Sequence, residues 1–406
     1  METSIFAFAT DLHDEGVETV LDNVQHRAGL DGVTVAAVYH EARDVFPHNP
    51  VRKLRFLEGG VTYFRPDGRR YRGLAIQPRV SALAEEADVV AELGDAAERR
   101  GLDVHAWTVF LHSDWVDGGY EEHAERTAFD DPCLTDLCPA NPAVRDYVRA
   151  LSGDVARLGV RTIVAESLHY HPLEHGYHHE RYFLHLGART RFLLGLCFCK
   201  HCLVAARALG VDADAVHRFA RDEIQRVFDG GADESTELDL EEARALAGGE
   251  MAGYLEERDR IVWTLVAEAA EMAAADGARF AFLDASGSIK GYADGRPTGG
   301  PAPEIAWRLG ADLAHLARAC GGLEAIAYAA NADRIRLDLD AYRDLLPPDG
   351  TLSAAMRPML PDCDSTENLA AKLRLCREHG LERVDFYHYG LAPLTALGRI
   401  REALEA

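Results

Sequence analysis

Ser4-Ile-Phe-Ala-Phe-Ala-Thr-Asp-Leu-His-Asp14 opens the chain with a short apolar run that breaks into polar residues, and it decides between two parallel-sheet folds. An open doubly wound sheet carries a Gly-rich phosphate loop directly after its first strand. Here Ala9-Thr-Asp-Leu-His-Asp14 contains no glycine. The alternative is a closed (β/α)8 barrel, and the rest of the chain supplies the units for one. Short apolar runs suited to buried parallel strands lie at 4–8, 33–38, 103–110, 161–165, 279–283, 323–328, 351–356 and 383–387. Helix-period segments alternate with them at 17–28, 81–100, 143–158, 213–275, 304–319, 339–345, 365–379 and 394–405. This β/α alternation predicts a parallel sheet with crossover helices. Gly101, Gly159, Gly277 and Gly380 each stand just before a strand, where a left-handed residue without a Cβ ends a helix.

One barrel with long loops explains the length of 406 residues better than two or three separate domains. We read residues 1–406 as a single barrel domain with enlarged loops after strands two, three and four: a hairpin insertion at 41–79 turning at Asp67-Gly68, loops at 112–140 and 167–203, and an extended helical segment at 204–276. The acidic stretch 233–257 reads as a solvated outer helix or helical hairpin.

Composition excludes partners more than it names them. Against 43 Lys and Arg stand 67 Asp and Glu, a formal charge of −24, with 48% apolar residues. That apolar content argues for a folded core, and the charge argues against nucleic acid, which needs a basic face. No apolar stretch approaches the ~20 residues that span a bilayer, so no membrane partner is expected. No Lys or Arg precedes Arg27 and acids follow the first apolar run, unlike a secretory signal, so the expected location is the cytoplasm. A homo-oligomer is compatible with this composition.

Eight cysteines are too few for a disulfide scaffold in a chain of this size. Cys197-Phe-Cys199-Lys-His-Cys202 sets three of them in a C-x-C-x-x-C spacing, from which a tetrahedral zinc collects thiolates at about 2.3 Å. The fourth ligand must come from elsewhere, Cys133 and Cys138 being the nearest candidates, with Cys320, Cys363 and Cys376 in other units.

This spacing after strand four, preceded by Cys138-Pro-Ala-Asn-Pro-Ala-Val-Arg145, resembles the zinc-bearing β-galactosidase-type (clan A) glycoside hydrolases and related hydrolase-like barrels. The likeness in motifs covers roughly 132–202, and beyond that it lies in the eight-unit layout. It implies Cys138 as fourth ligand, hence a structural four-thiolate Zn2+ clamping the loops 112–140 and 167–203, with no organic cofactor. It also implies a general acid/base at Glu166, which closes strand four in Thr162-Ile-Val-Ala-Glu166, although the resembled enzymes have Asn where this chain has Ala165. Their second carboxylate ends strand seven. Here that strand ends Ala355-Met-Arg357 with no acid before Asp362. We therefore take Asp284, at the end of strand five, as nucleophile or base facing Glu166, with Asp11 and Asp333 as weaker candidates.

Polar and aromatic residues accumulate at the same end of the other strands: His13, Tyr39, His40, Trp107, His112, Tyr328, Asn331, Arg357, Tyr387, His388 and Tyr389. With Asp11, His169 and His171 they suit a sugar, whose apolar faces stack on aromatic rings and whose hydroxyls need hydrogen bonds. His175, His178, His179 and Glu180 read as a loop over the site. The expected function is hydrolysis of a glycoside or small oligosaccharide. Two alternatives stand: a carbohydrate-binding barrel without chemistry, and a metal-dependent sugar isomerase or lyase using the His-rich strand-four loop.

Overall fold

A computed structural model describes residues 1–113, 119–174, 181–291 and 294–406. Eight parallel strands form its centre: β1 (Glu2–Ala7), β2 (Gly32–Tyr39), β3 (Asp103–Val109), β4 (Thr162–Glu166), β5 (Arg279–Asp284), β6 (Gly322–Ile326), β7 (Thr351–Met356) and β8 (Arg383–Phe386). Each pairs with its neighbours in chain order, and β1 pairs with both β2 and β8, so the sheet closes into a (β/α)8 barrel. The closed barrel expected from the repeat is thus the observed fold, with strand ends moved by one or two residues.

The helices outside the ring include α1 (Ala9–Glu15), α2 (Val17–Asp22), α3 (Val89–Arg100), α4 (Pro142–Ala156), α5 (Glu250–Ala275), α6 (Leu313–Cys320), α7 (Ala332–Leu345), α8 (Thr366–Glu378) and α9 (Leu394–Glu405). Their apolar stripes pack on the outward side chains of the strands in one continuous core. Gly101, Gly159, Gly277 and Gly380 all have positive φ, between 62° and 90°. None of the described helices is long and apolar enough to cross a membrane.

Three local expectations change. The hairpin of the 41–79 insertion is Ala42–Val45 paired with Leu54–Leu57, not a turn at Asp67-Gly68. Asp67 instead accepts hydrogen bonds from the backbone and side chain of Arg69, closing a compact turn on itself. Of the flanking residues, Val61–Thr62 pairs antiparallel with β2, and Arg79–Val80 pairs in parallel with Val61–Thr62. The first loop is helical: α1 begins at Ala9, with Asp11 accepting from Phe8 N at 2.9 Å. The segment 213–275 is three α-helices, Ala213–Phe228, Leu240–Arg244 and α5, with a short 3-10 turn at Leu246–Gly249 before α5.

Inside the ring, the N-terminal half is polar. Arg383, 2% exposed, donates to Glu324 Oε2 at 2.8 Å and pairs with Asp385, which Thr34 also contacts. Ser4 and Thr34 share a 2.8 Å hydrogen bond, and His105 Nε2 lies 2.8 Å from Glu2. This network forms the floor beneath the barrel mouth.

Candidate active site and metal centre

Period-2 alternation sends every second strand residue into the barrel. At the C-terminal ends the inward positions are Phe6, Tyr39, Trp107, Glu166, Leu283, Ile326, Ala355 and Tyr387, and they line a cavity of about 260 Å³. The loops add His40, Ser167, His169, His171, Tyr328 and Arg357 to its wall. A larger outer groove of about 550 Å³ beside α5 and a cavity of about 250 Å³ at the opposite end of the barrel contain none of these residues. Position at the C-terminal mouth, where barrel enzymes place their chemistry, outweighs size.

Glu166 sits in the wall with Trp107 Nε1 donating to its Oε2 at 2.5 Å. Burial raises its carboxyl, and the Trp107 bond and the nearby His112 oppose that shift. Burial also raises Tyr39 well above the usual phenol range, reinforced by Tyr387 and Glu166, so that phenol stays protonated. Arg357 lies 4.5 Å over the Tyr328 ring while Asp362 holds it through two hydrogen bonds at 2.7 and 2.8 Å. Ser167, directly after Glu166, has φ 55°, a left-handed conformation costing a non-glycine residue about 1–3 kcal/mol. No sequence signal disclosed it.

The expected second carboxylate is not in this cavity. Asp284 is fully buried and points outward, because Leu283 and Ala285 take the inward positions on either side of it. Its Oδ1 accepts from Ser286 N and Oγ at 3.0 and 2.6 Å, and its Oδ2 from Tyr342 of α7 at 2.5 Å. It fastens β5 to a helix. Among the described residues, Glu166 is the single acid lining the cavity.

Other expected contacts also lie elsewhere. Asp11 is buried against Gly390, where even a Cβ would come within 2.2 Å of its carboxylate, and burial raises it to about 7. His13 is on the exposed side of α1 beside Asp14. Asn331 caps α7 by accepting from Asp333 N at 2.8 Å, and both residues are exposed. His388 is buried 4.0 Å from the Phe8 ring and held neutral by burial. Tyr389 donates to Glu15 at 2.8 Å and accepts from Asn23 at 2.9 Å. His112 stands behind the wall, its ring stacked 4.5 Å from that of His171. His175, His178, His179 and Glu180 lie outside the described residues.

Cys138, Cys197, Cys199 and Cys202 converge, all buried. Cys138 Sγ is 3.4 Å from Cys199, 3.5 Å from Cys202 and 3.8 Å from Cys197, and Cys199 is 3.8 Å from Cys202. These are not disulfides. Sulfurs bound at about 2.3 Å to one tetrahedral ion stand about 3.8 Å apart, so the four fit a thiolate metal site. Burial raises the Cys138 and Cys197 thiols, so four thiolates persist here only against a cation. Arg126 N and Tyr170 Oη contact Cys197 and Cys202 at 3.4 and 3.2 Å, as donors suited to sulfur ligands. The motif around Cys138 has its own work: Asn141 caps α4, Pro142 starts it, and Arg145 docks it onto Ile261 and Thr264 of α5 at 3.1 Å each.

No protein-family profile and no curated protein matches the chain. Solved structures do. The α-L-fucosidase isoenzyme 2 from Paenibacillus thiaminolyticus is similar with a TM-score of 0.55 at 14% identity, over 100% of this chain and 49% of that one. The β-galactosidase from the psychrophilic Marinomonas ef1 gives 0.57 at 10%, over 100% and 59%. The catalytic domain of the β-amylase from Paenibacillus polymyxa gives 0.53 at 10%, over 97% and 94%. The chain spans about half the length of the first two. At such identities the likeness is one of fold, the (β/α)8 barrel these glycosidases share with it.

Proposed function

We propose that this chain is a glycoside hydrolase-like enzyme acting on a glycoside or small oligosaccharide, with Glu166 as proton donor. The observation that carries the reading is the Glu166 carboxyl: at the C-terminal end of β4, facing an aromatic cavity, with burial raising its pKa. A carboxyl whose pKa is raised by burial can deliver its proton to a glycosidic oxygen as the C–O bond breaks and water adds to the sugar carbon, and Trp107 then stabilises the carboxylate that forms. Tyr39, Tyr328 and Tyr387 give the cavity an aromatic lining suited to a sugar, and Arg357 and His169 offer polar groups to its hydroxyls. The resemblance in motifs and the barrels of the fucosidase and the galactosidase support a carbohydrate ligand. We further assign zinc to the four thiolates, with a structural role because they leave no open position, and a reducing compartment such as the cytoplasm, in keeping with eight free cysteines.

Screening nitrophenyl glycosides and oligosaccharides identifies the substrate. Glu166→Gln should then lower turnover at least ~100-fold with the fold intact, and unchanged turnover would sink the assignment. A second reading is favoured by one feature, that among the described residues Glu166 is the single acid lining the cavity: a barrel that binds carbohydrate without cleaving it. Calorimetric binding of a sugar with no product across the panel would select it.

A further inference from the structure

We propose that His112, Asp136 and His171 form a second metal site, holding one divalent first-row transition ion in the wall of the cavity. Their three ligand atoms lie within 4.8 Å of one another and all three residues are buried. His112 Nδ1 is 2.8 Å and His171 Nδ1 3.1 Å from the same oxygen, Asp136 Oδ1. Ligands at right angles on bonds of about 2.1 Å stand about 3.0 Å apart, so both imidazole-to-carboxylate spacings match those of neighbouring ligands on one ion. Two imidazoles and one carboxylate on a face is a donor set that suits iron, manganese, cobalt or zinc, leaving further positions for solvent or substrate oxygen.

The surroundings hold these groups in place. Thr135 Oγ1 donates to the other carboxylate oxygen, Asp136 Oδ2, at 2.9 Å, leaving Oδ1 to face the imidazoles. The backbone N of His171 donates to Glu125 Oε1 at 3.2 Å, and the two imidazole rings stack with an interplanar angle of 26°. Such outer partners orient metal ligands. Asp136 precedes Cys138 by two residues, and His171 belongs to the loop that leads to Cys197, so the thiolate cluster brings both loops together independently of the second ion. The thiolate site is closed and structural. The histidine site borders the cavity, since His171 lines it beside Glu166.

A hydrogen-bonded His-Asp-His cluster has similar distances, and cobalt distinguishes the two. The purified full chain is treated briefly with EDTA, its zinc content is measured to establish that one thiolate-bound ion per chain is retained, and it is then titrated with Co²⁺ alone. The site predicts one further Co²⁺ per chain, with visible d–d bands, no thiolate-to-cobalt charge transfer, and an X-ray absorption shell of nitrogen and oxygen showing imidazole scattering. His171→Gln, which retains a hydrogen-bonding group beside Asp136, and His112→Ala should each weaken that uptake at least 10-fold while the zinc content stays at one. No uptake by the folded protein, a sulfur-containing shell, or uptake equally strong in both variants would overturn the site. None of these readouts depends on glycoside turnover, so the proposal stands or falls separately from the hydrolase reading.

Discussion

At the scale of single residues, Glu166 and Asp284 show what alternation decides. Both are acids at the ends of neighbouring strands, yet Glu166 meets the cavity and Asp284 a helix. The register pairs Ala165 with Phe282, which puts Glu166 in the same inward row as Leu283. Phe280-Ala281-Phe282-Leu283 is apolar throughout because both faces of a barrel strand are buried, so no polar alternation revealed which way Asp284 points. Glu166 was legible from its place after the strand-four run, and the Tyr39, Trp107 and Tyr387 rings were legible likewise. Asp136 was not, since nothing in a loop sequence marks which acid will meet two distant histidines. The Trp107 bond yields a prediction for a measured pH profile. It stabilises the charged form of Glu166, so Trp107→Phe should raise the carboxyl further and move the alkaline limb of turnover to higher pH. A limb that moves down or stays put contradicts the role given to Glu166.

At the scale of elements, two fastenings carry distinct expectations. Asp284 joins β5 to α7 through Tyr342, so Asp284→Ala should cost about 2–4 kcal/mol in urea unfolding while turnover per folded molecule stays near the wild-type value. A loss of turnover matching that of Glu166→Gln would return Asp284 to the chemistry. The thiolates join the loops after β3 and β4. Cys199→Ser should abolish zinc retention, lower the unfolding midpoint by at least ~5 °C and open both loops to limited proteolysis. Strands and long helices could be placed from their apolar runs and Gly stops. The hairpin was misplaced because Asp67-Gly68 is a strong turn signal wherever it stands, whereas its flanks pair with each other in parallel, an arrangement no hairpin can make.

For the molecule as a whole, the count of β/α units was enough to anticipate closure, whereas the polar floor of Arg383, Glu324 and Asp385 was not readable from two strands separated by a third in the sheet. Repulsion among an excess of 24 negative charges opposes the compact state. Raising salt from about 0.02 to 0.5 M should therefore raise the unfolding midpoint by a few degrees, read by circular dichroism. Ring closure has one more consequence, in time. β1 pairs with β8 through Glu2 and Arg383, so the first strand made waits for the last. At about 5–20 residues per second, a ribosome needs on the order of 20–80 s to make the stretch between them. Throughout that interval the nascent sheet keeps an unpaired edge, and the cell must shield it from other chains until the final strand emerges to seal it.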